Sequence, residues 1–235
     1  MSIIGWLIGL IERSIFLGGE IKARLAHPLS KIAYLAILIY TISRGDLIPV
    51  GIALASIIIL GATAIGVESI LSTLIVSSIP AFWLASTAYV GGIAGITPYI
   101  TLVTAIGIFI RSMTFSSAIL LFIASLNPTR IANLLIRLGK KTWAVYPLLS
   151  WRLIPQGLHD MEEALSIYKL KKATLWKSIA SSIATIIDYT NRIEESAFYR
   201  IEAGLEEQIP LKTNIVWSTI YVALSIGLIM IQFFI

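Results

Sequence analysis

Long runs of apolar residues alternate with short polar turns along most of the chain. A run of about 20 apolar residues is long enough to cross the hydrocarbon core of a bilayer as a helix. The pattern predicts five membrane helices, the first of which is short and would thin the bilayer locally. Their approximate bounds are Ile32–Ser43, Leu47–Val67, Ile70–Val90, Pro98–Ala124 and Asn214–Ile235.

A charged segment, residues 127–213, lies between the fourth and fifth apolar runs and has a different periodicity. Its apolar residues recur at three- and four-residue steps, which is the period of an amphipathic helix. We predict a short helix over about Asn127–Leu138 and two long amphipathic helices at about Pro155–Lys172 and Thr174–Ala203. Pro155 would occupy the first helical position, where a missing N–H costs nothing.

Each long helix is expected to end in a basic tip. The residues of the two tips are Lys169, Lys171 and Lys172 for the first helix, and Arg200, Glu202, Ala203 and Gly204 for the second. The glycine at the end of the second tip would also stop that helix. Both helices could lie on anionic lipid as interfacial helices. Their length and their sharp basic tips favour a protein partner instead.

The predicted elements divide the chain into three parts. Residues 1–126 comprise an N-terminal interfacial helix, over about residues 2–25, and four membrane helices. Residues 127–213 form a coupling domain, and residues 214–235 form a C-terminal membrane helix. The N-terminal stretch lacks the basic region and small-residue cleavage site of a secretory signal, so no cleaved signal is expected.

Composition supports an integral membrane protein and excludes several kinds of chemistry. Hydrophobic residues make up 57% of the chain and charged residues 13%, against about 25% charged residues in soluble domains. The absence of cysteine excludes disulfides and thiol catalysis, and the two histidines are too few for a typical structural metal site. No P-loop motif is present. We therefore expect no catalytic residue, no metal and no cofactor.

The distribution of charge predicts the orientation in the membrane. Twelve of the 18 lysines and arginines lie between residues 127 and 213, so this segment is expected to be cytoplasmic. Four membrane helices precede it, and this even number places the N-terminus in the cytoplasm as well. A net charge of +5 is thus explained by topology, and nucleic acid is not an expected partner.

Arg111 is a charged residue in the middle of the fourth apolar run. A charge within the membrane is costly and by default suggests function. The alternative is a structural arginine that hydrogen-bonds neighbouring groups such as Ser112, Thr114 or Ser116. We favour the structural interpretation, because the sequence offers no evident partner for a substrate role.

Several motifs together resemble the transmembrane T component of energy-coupling factor ABC transporters. Pro28-Leu29-Ser30-Lys31 is similar to the signature that opens the first membrane helix of that family, and Arg111 is similar to its late membrane arginine. Leu138-Gly139, the run from Arg152 to Pro155 and the acidic run Asp160–Ala164 also resemble family features. The resemblance covers the chain from about Pro28 to the last apolar run.

The family's Ala-Arg-Gly-type motifs would fall at the two basic tips. The corresponding positions are Leu170-Lys171-Lys172 and Glu202-Ala203-Gly204. Lys171 stands where the first motif has arginine, which keeps the charge but loses the bidentate fork. Ala203 stands at the second arginine position, and Arg200 lies about one turn earlier.

The resemblance implies a non-catalytic scaffold rather than an enzyme. Two ABC ATPase subunits would dock on the tips, and a separate small membrane protein, the S component, would bind a vitamin or transition-metal ion. This chain, embedded in the lipid bilayer of the cell membrane, would couple ATP hydrolysis to uptake. The alternative is a self-sufficient channel or secondary carrier, which requires a polar pathway at the midplane. A membrane-embedded enzyme is a third possibility, but the sequence shows no catalytic constellation.

Overall fold

The structure, a computed structural model, describes residues 6, 9–11, 22–140, 142–171, 180, 183–184, 187–188, 190 and 213–234. Within these ranges the regular structure is helical and contains no strand. Helix bounds are α1 (Pro28–Arg44), α2 (Leu47–Ala64), α3 (Val67–Ile93), α4 (Leu102–Ser125), α5 (Pro128–Arg137), α6 (Val145–Lys171) and α7 (Ile215–Phe234), with 3-10 turns at Lys22–Leu25 and Thr142–Ala144.

The chain forms two compact units. One unit contains residues 1–12 and 127–211, and therefore α5 and α6. The other contains residues 13–126 and 212–235 and is called here the helix bundle; it holds α1 to α4 and α7.

The helix bundle has the lengths and hydropathy of a multi-pass membrane protein. Four of its helices, α2, α3, α4 and α7, are long and apolar enough to cross a membrane. Helix α1 has 17 residues. That length is one residue shorter than α2. The all-helical, multi-pass prediction is confirmed for four spans, and the span at α1 stays a prediction.

Two sequence-based boundaries are wrong. Helix α4 begins at Leu102 rather than Pro98, because the Thr101 hydroxyl caps it by accepting a hydrogen bond from the Thr104 N–H. Pro155 does not open a helix but lies inside α6, which already begins at Val145. A proline in a helix interior removes one hydrogen bond and favours a kink, but the apolar residues before it continue the helix.

The ends of α1 carry clear capping signals. His27 caps the N-terminus, since its Nδ1 accepts a hydrogen bond from the Leu29 N–H, and Pro28 takes the first helical position. Gly45 ends the helix in the left-handed conformation, with φ +89°, which a residue without a Cβ adopts at little cost. The predicted turn between the first two apolar runs is therefore confirmed.

Helices α1 and α7 run parallel and in register. The His27 N–H donates to the Ser218 hydroxyl at 2.9 Å near their N-terminal ends, and the Gln232 side-chain amide donates to the Thr41 hydroxyl near their C-terminal ends. In each pair the two residues are 191 positions apart in sequence, so the two helices keep the same register from one pair to the other. Their aromatic residues meet in the core, where the rings of Tyr34 and Tyr221 pack edge to face at 5.6 Å.

A seam of small and polar residues lies along the buried side of α3, the helix that α4 contacts most extensively. Five of the buried α3 residues recur at four-residue steps, and they are Ser69, Thr73, Ser77, Ala81 and Ala85. Small side chains let two membrane helices approach closely, so that van der Waals contact replaces the missing hydrophobic driving force. At the connection between the two helices, a Cβ on Gly92 would lie 3.2 Å from backbone atoms of Pro98 and Ile100.

Candidate functional site

Two cationic side chains bind the C-terminal end of α4. The Lys31 ammonium donates to the carbonyl of Ser125 at 2.6 Å and to the carbonyl of Arg24 at 3.2 Å. The Arg24 Nε donates to the carbonyl of Ala124 at 3.1 Å. The last carbonyls of a helix have no partner within it and carry partial negative charge. Arg24, Lys31, Ala124 and Ser125 therefore form a cationic cap, called here the α4 clamp.

The sequence around Pro28 places Lys31 in this clamp. Pro28 fixes the start of α1, and Lys31 then falls on the same helix face as Tyr34, Leu38 and Thr41, all of which are buried. Only 4% of the Lys31 surface is exposed. A cation in the first turn of a helix is disfavoured by that helix's own dipole. The C-terminus of α4 compensates this cost, because it presents its carbonyls to the same ammonium group.

Burial also affects the second cation of the clamp. Arg24 lies in the 3-10 turn before α1 and is half-buried. Removal from water lowers the pKa of its guanidinium. A carbonyl acceptor at the end of a helix is the kind of partner that makes such a buried cation tolerable.

The same end of the bundle is tied to α7. The Asn214 N–H donates to the Leu25 carbonyl at 2.9 Å, and the Asn214 side chain caps α7 by accepting from the Trp217 N–H. The His27–Ser218 hydrogen bond lies beside it. The chain leaves the bundle after Leu126 and returns to it at residue 212. The α4 clamp thus joins the segment before α1 to the point where the chain leaves the bundle. The Asn214 contacts join the same segment to the point where the chain returns.

A small cavity of about 10 Å³ lies behind the clamp. Its polar lining comes from Lys31, Tyr34, Ser125 and Tyr221. A volume of this size accommodates at most one water molecule. The cavity is therefore too small to be a binding pocket for a vitamin-sized substrate.

The two tyrosines of this cavity differ in hydrogen bonding. The Tyr34 hydroxyl bonds the Ser56 hydroxyl at 2.7 Å, and Ser56 in turn donates to the Ala53 carbonyl. The Tyr221 hydroxyl is buried beside Ser125 and makes no hydrogen bond of normal geometry within the described part of the chain. The Ser125 hydroxyl donates to the Phe122 carbonyl at 2.8 Å instead. The two rings are otherwise packed against each other in the same core.

This difference predicts opposite effects for the same substitution. Tyr34→Phe should lower the free energy of unfolding by about 1 kcal/mol, because it removes a satisfied buried hydrogen bond. Tyr221→Phe should leave stability unchanged or raise it by about 1 kcal/mol, because a buried hydroxyl without a partner is costly. Unfolding of both variants by sodium dodecyl sulfate in micelles measures the contrast. A larger loss for Tyr221→Phe than for Tyr34→Phe would show that the hydrogen-bonding difference is wrong.

Arg111 contacts a distant backbone group rather than its neighbours. Its guanidinium donates to the carbonyl of Gly45, which lies 66 positions away in the turn between α1 and α2. The expected neighbour Thr114 instead donates its hydroxyl to the Ile110 carbonyl at 2.7 Å. The half-buried arginine thus joins the middle of α4 to the turn after α1.

The predicted docking residues are only in part among the described residues. Lys169 and Lys171 belong to the last turn of α6, which ends at Lys171. The other predicted tip residues lie outside the described residues, and they are Lys172, Arg200, Glu202, Ala203 and Gly204. The two tips are therefore predictions from the sequence alone.

Sequence reasoning missed most of the α4 clamp. It identified Lys31 only as part of a motif and gave no role to Arg24 or Ser125. The available signal was a lysine at a position that the helical period assigns to a buried face. In the ranges that the structure describes, no group of three His, Cys, Asp or Glu residues could hold a metal ion.

No protein-family model, curated protein or solved structure matches this chain.

Proposed function

We propose that this chain is the membrane-embedded T component of an energy-coupling factor ABC importer. In this role it couples ATP hydrolysis by two associated ATPases to uptake of a vitamin or transition-metal ion through a separate S component. The chain is then a non-catalytic subunit in the cell membrane, with its N-terminus and residues 127–213 in the cytoplasm. The resemblance of its motifs to those of the T-component family suggests this role, and the geometry at the end of the helix bundle supports it.

The observation that carries the proposal is the α4 clamp together with the Asn214 contacts. A coupling subunit must pass a displacement of its cytoplasmic segment to its membrane helices without unravelling the helix ends. Lys31 holds the carbonyl of Ser125, one residue before the chain leaves the bundle, and Asn214 holds Leu25 where the chain returns. Both crossings are thereby fixed to the segment that starts α1, so that a pull on either one moves packed helices as a unit.

Helix α6 suits the lever that this role requires. It has 27 residues, which is about 40 Å of helix. Lys169 and Lys171 stand in its last turn. A long helix with cations at its end can carry a charge-dependent contact with a partner and transmit its motion.

The docking of ATPases is tested by reversing the tip charges. Lys171→Glu combined with Arg200→Glu should reduce recovery of the ATPases with the tagged chain by about tenfold or more, since a like charge at a docking contact is repulsive. The measurement is a pull-down from native membranes followed by mass spectrometry. Arg44→Glu is the control, because Arg44 is exposed at the opposite end of α1 from the clamp. Unchanged ATPase recovery with the double variant would contradict the assignment of the tips.

The same pull-down of the unmodified chain separates the proposal from a self-sufficient channel or carrier. The T-component proposal predicts recovery of one or two P-loop ATPases and a small hydrophobic protein. A channel or carrier predicts recovery of the chain alone and substrate transport by the chain alone in liposomes. The Arg111 guanidinium, the intramembrane charge for which the sequence left a substrate role open, is bound to the Gly45 carbonyl.

A further inference from the structure

An exposed surface with aromatic and basic residues lies at the connection between α5 and α6. It consists of Leu134, Arg137, Leu138, Lys140, Trp143 and Tyr146, all of which are exposed, and is called here the aromatic–basic surface. Leu138 and Trp143 are 64% and 65% exposed. Four large apolar side chains are thus exposed within 13 positions. Such exposure is unfavourable in water and marks an interaction surface.

Local structure holds this surface in a defined shape. Asn127 caps α5 by accepting from the Thr129 N–H, and Gly139 ends it with φ +76°. The Lys140 N–H donates to the Leu135 carbonyl and the Gly139 N–H donates to the Ile136 carbonyl, which is the Schellman arrangement. After this turn the Trp143 and Tyr146 rings lie 5.9 Å apart. A helix of ten residues is only marginally stable in water by itself. A partner that covers the exposed face of α5 would therefore stabilise this helix.

The charge of this region is of one sign. Residues 127–159 contain five lysines and arginines and no aspartate or glutamate. Arg137 and Lys140, which are exposed, therefore have no acidic partner from their own part of the sequence. Tryptophan and tyrosine are enriched at the membrane–water interface, and basic residues beside it are attracted to anionic lipid. The chemistry of the surface therefore fits an anionic headgroup region.

Chain length keeps the start of α5 close to the end of α4. Only Leu126 and Asn127 separate the last residue of the membrane helix α4 from the first residue of α5. This connection spans at most about 11 Å. The headgroup region is roughly 5 to 7 Å thick on each side of the bilayer. Helix α5 therefore starts in or directly beside the headgroups.

We propose that the aromatic–basic surface binds anionic phospholipid headgroups of the bilayer that contains α4. Trp143 and Tyr146 insert among the headgroups, and Arg137 and Lys140 bind lipid phosphates. This contact holds the start of the segment after α4 along the membrane surface. It concerns the chain alone and stands or falls independently of the ATPases.

The test measures contact between Trp143 and lipid. The purified full chain is reconstituted with phosphatidylcholine and increasing fractions of phosphatidylglycerol that is brominated on its acyl chains. The fluorescence of Trp143, obtained as the difference between the unmodified chain and Trp143→Phe, should be quenched at a low fraction of the anionic lipid. For Arg137→Gln combined with Lys140→Gln, the fraction needed for half-maximal quenching should rise about tenfold or more. Added salt should also raise the fraction of anionic lipid needed for half-maximal quenching, because salt screens the attraction between the cations and the lipid.

Control measurements separate the possible outcomes. Arg44→Gln, which removes an exposed cation in the helix bundle, should leave the quenching curve unchanged. Both glutamine variants should keep the unfolding transition of the unmodified chain, because the altered side chains are exposed. Equal quenching by brominated phosphatidylcholine and phosphatidylglycerol, or no response to the double substitution, would overturn the proposal. So would shielding of Trp143 that occurs only when other membrane proteins are present, which would identify a protein as the occupant.

Discussion

Replacing Lys31 with methionine should lower the free energy of unfolding by about 3 to 5 kcal/mol. The Lys31 ammonium donates hydrogen bonds to the carbonyls of Ser125 and Arg24, and each bond from a charged donor contributes about 1.5 to 3 kcal/mol. Methionine has a similar length and fills the space, so that the loss comes from the hydrogen bonds and not from a cavity. The buried Ser125 carbonyl is then left without its ammonium donor.

Unfolding by sodium dodecyl sulfate in mixed micelles, followed by circular dichroism, measures this loss. Lys140→Met is the matched control, since Lys140 is exposed, and an exposed substitution of this kind changes stability by about 0.5 kcal/mol or less. Lys31→Arg keeps a charged donor and should fall between the two. Equal stability of the Lys31→Met and Lys140→Met variants would show that the clamp does not hold the end of α4.

Replacing Gly45 with alanine should lower the free energy of unfolding by about 2 to 3 kcal/mol. Gly45 has φ +89°, a conformation that costs a residue with a Cβ about 1 to 2 kcal/mol. An added Cβ would also lie 3.1 to 3.2 Å from the guanidinium atoms of Arg111. The arginine would have to shift from the Gly45 carbonyl that it binds.

The control for this substitution is Gly51→Ala. Gly51 lies exposed within α2, and a Cβ there would meet nothing within 4 Å. Alanine is favoured over glycine in a helix by up to about 1 kcal/mol, so this variant should be as stable as the parent or more stable. Gly45→Ala made in an Arg111→Met background separates backbone strain from the contact, because only the contact term disappears. A Gly45→Ala variant as stable as Gly51→Ala would contradict both terms.

The apolar pattern alone determined most of the helices of the bundle. Runs near 20 apolar residues have few alternatives in a membrane, because every backbone N–H and C=O must be paired within the segment. Helices α2, α3, α4 and α7 therefore lie within a few residues of their predicted bounds. Short helix α5 was predictable as well, since Asn127 and Pro128 signal its start and Gly139 its end.

A local sequence pattern did not identify the correct structure where two different structures are compatible with the same pattern. Proline at Pro155 is compatible with the first turn of a helix or with a kink inside one. In the structure Pro155 lies inside a helix that starts at Val145. Likewise, the polar residues before Leu102 did not reveal that Thr101 is the N-cap and that α4 begins at Leu102 rather than at Pro98.

The candidate site depended on contacts that no periodicity encodes. Lys31 meets Ser125 across 94 positions and Arg111 meets Gly45 across 66. Composition and helical period determined that this protein is a helical, multi-pass membrane protein. Only the tertiary structure decided that Lys31 is buried and which carbonyls its ammonium binds. The reason is physical: helix formation follows from residues three or four apart, whereas the partner of a buried charge depends on how α1, α4 and α7 are rotated and aligned against one another.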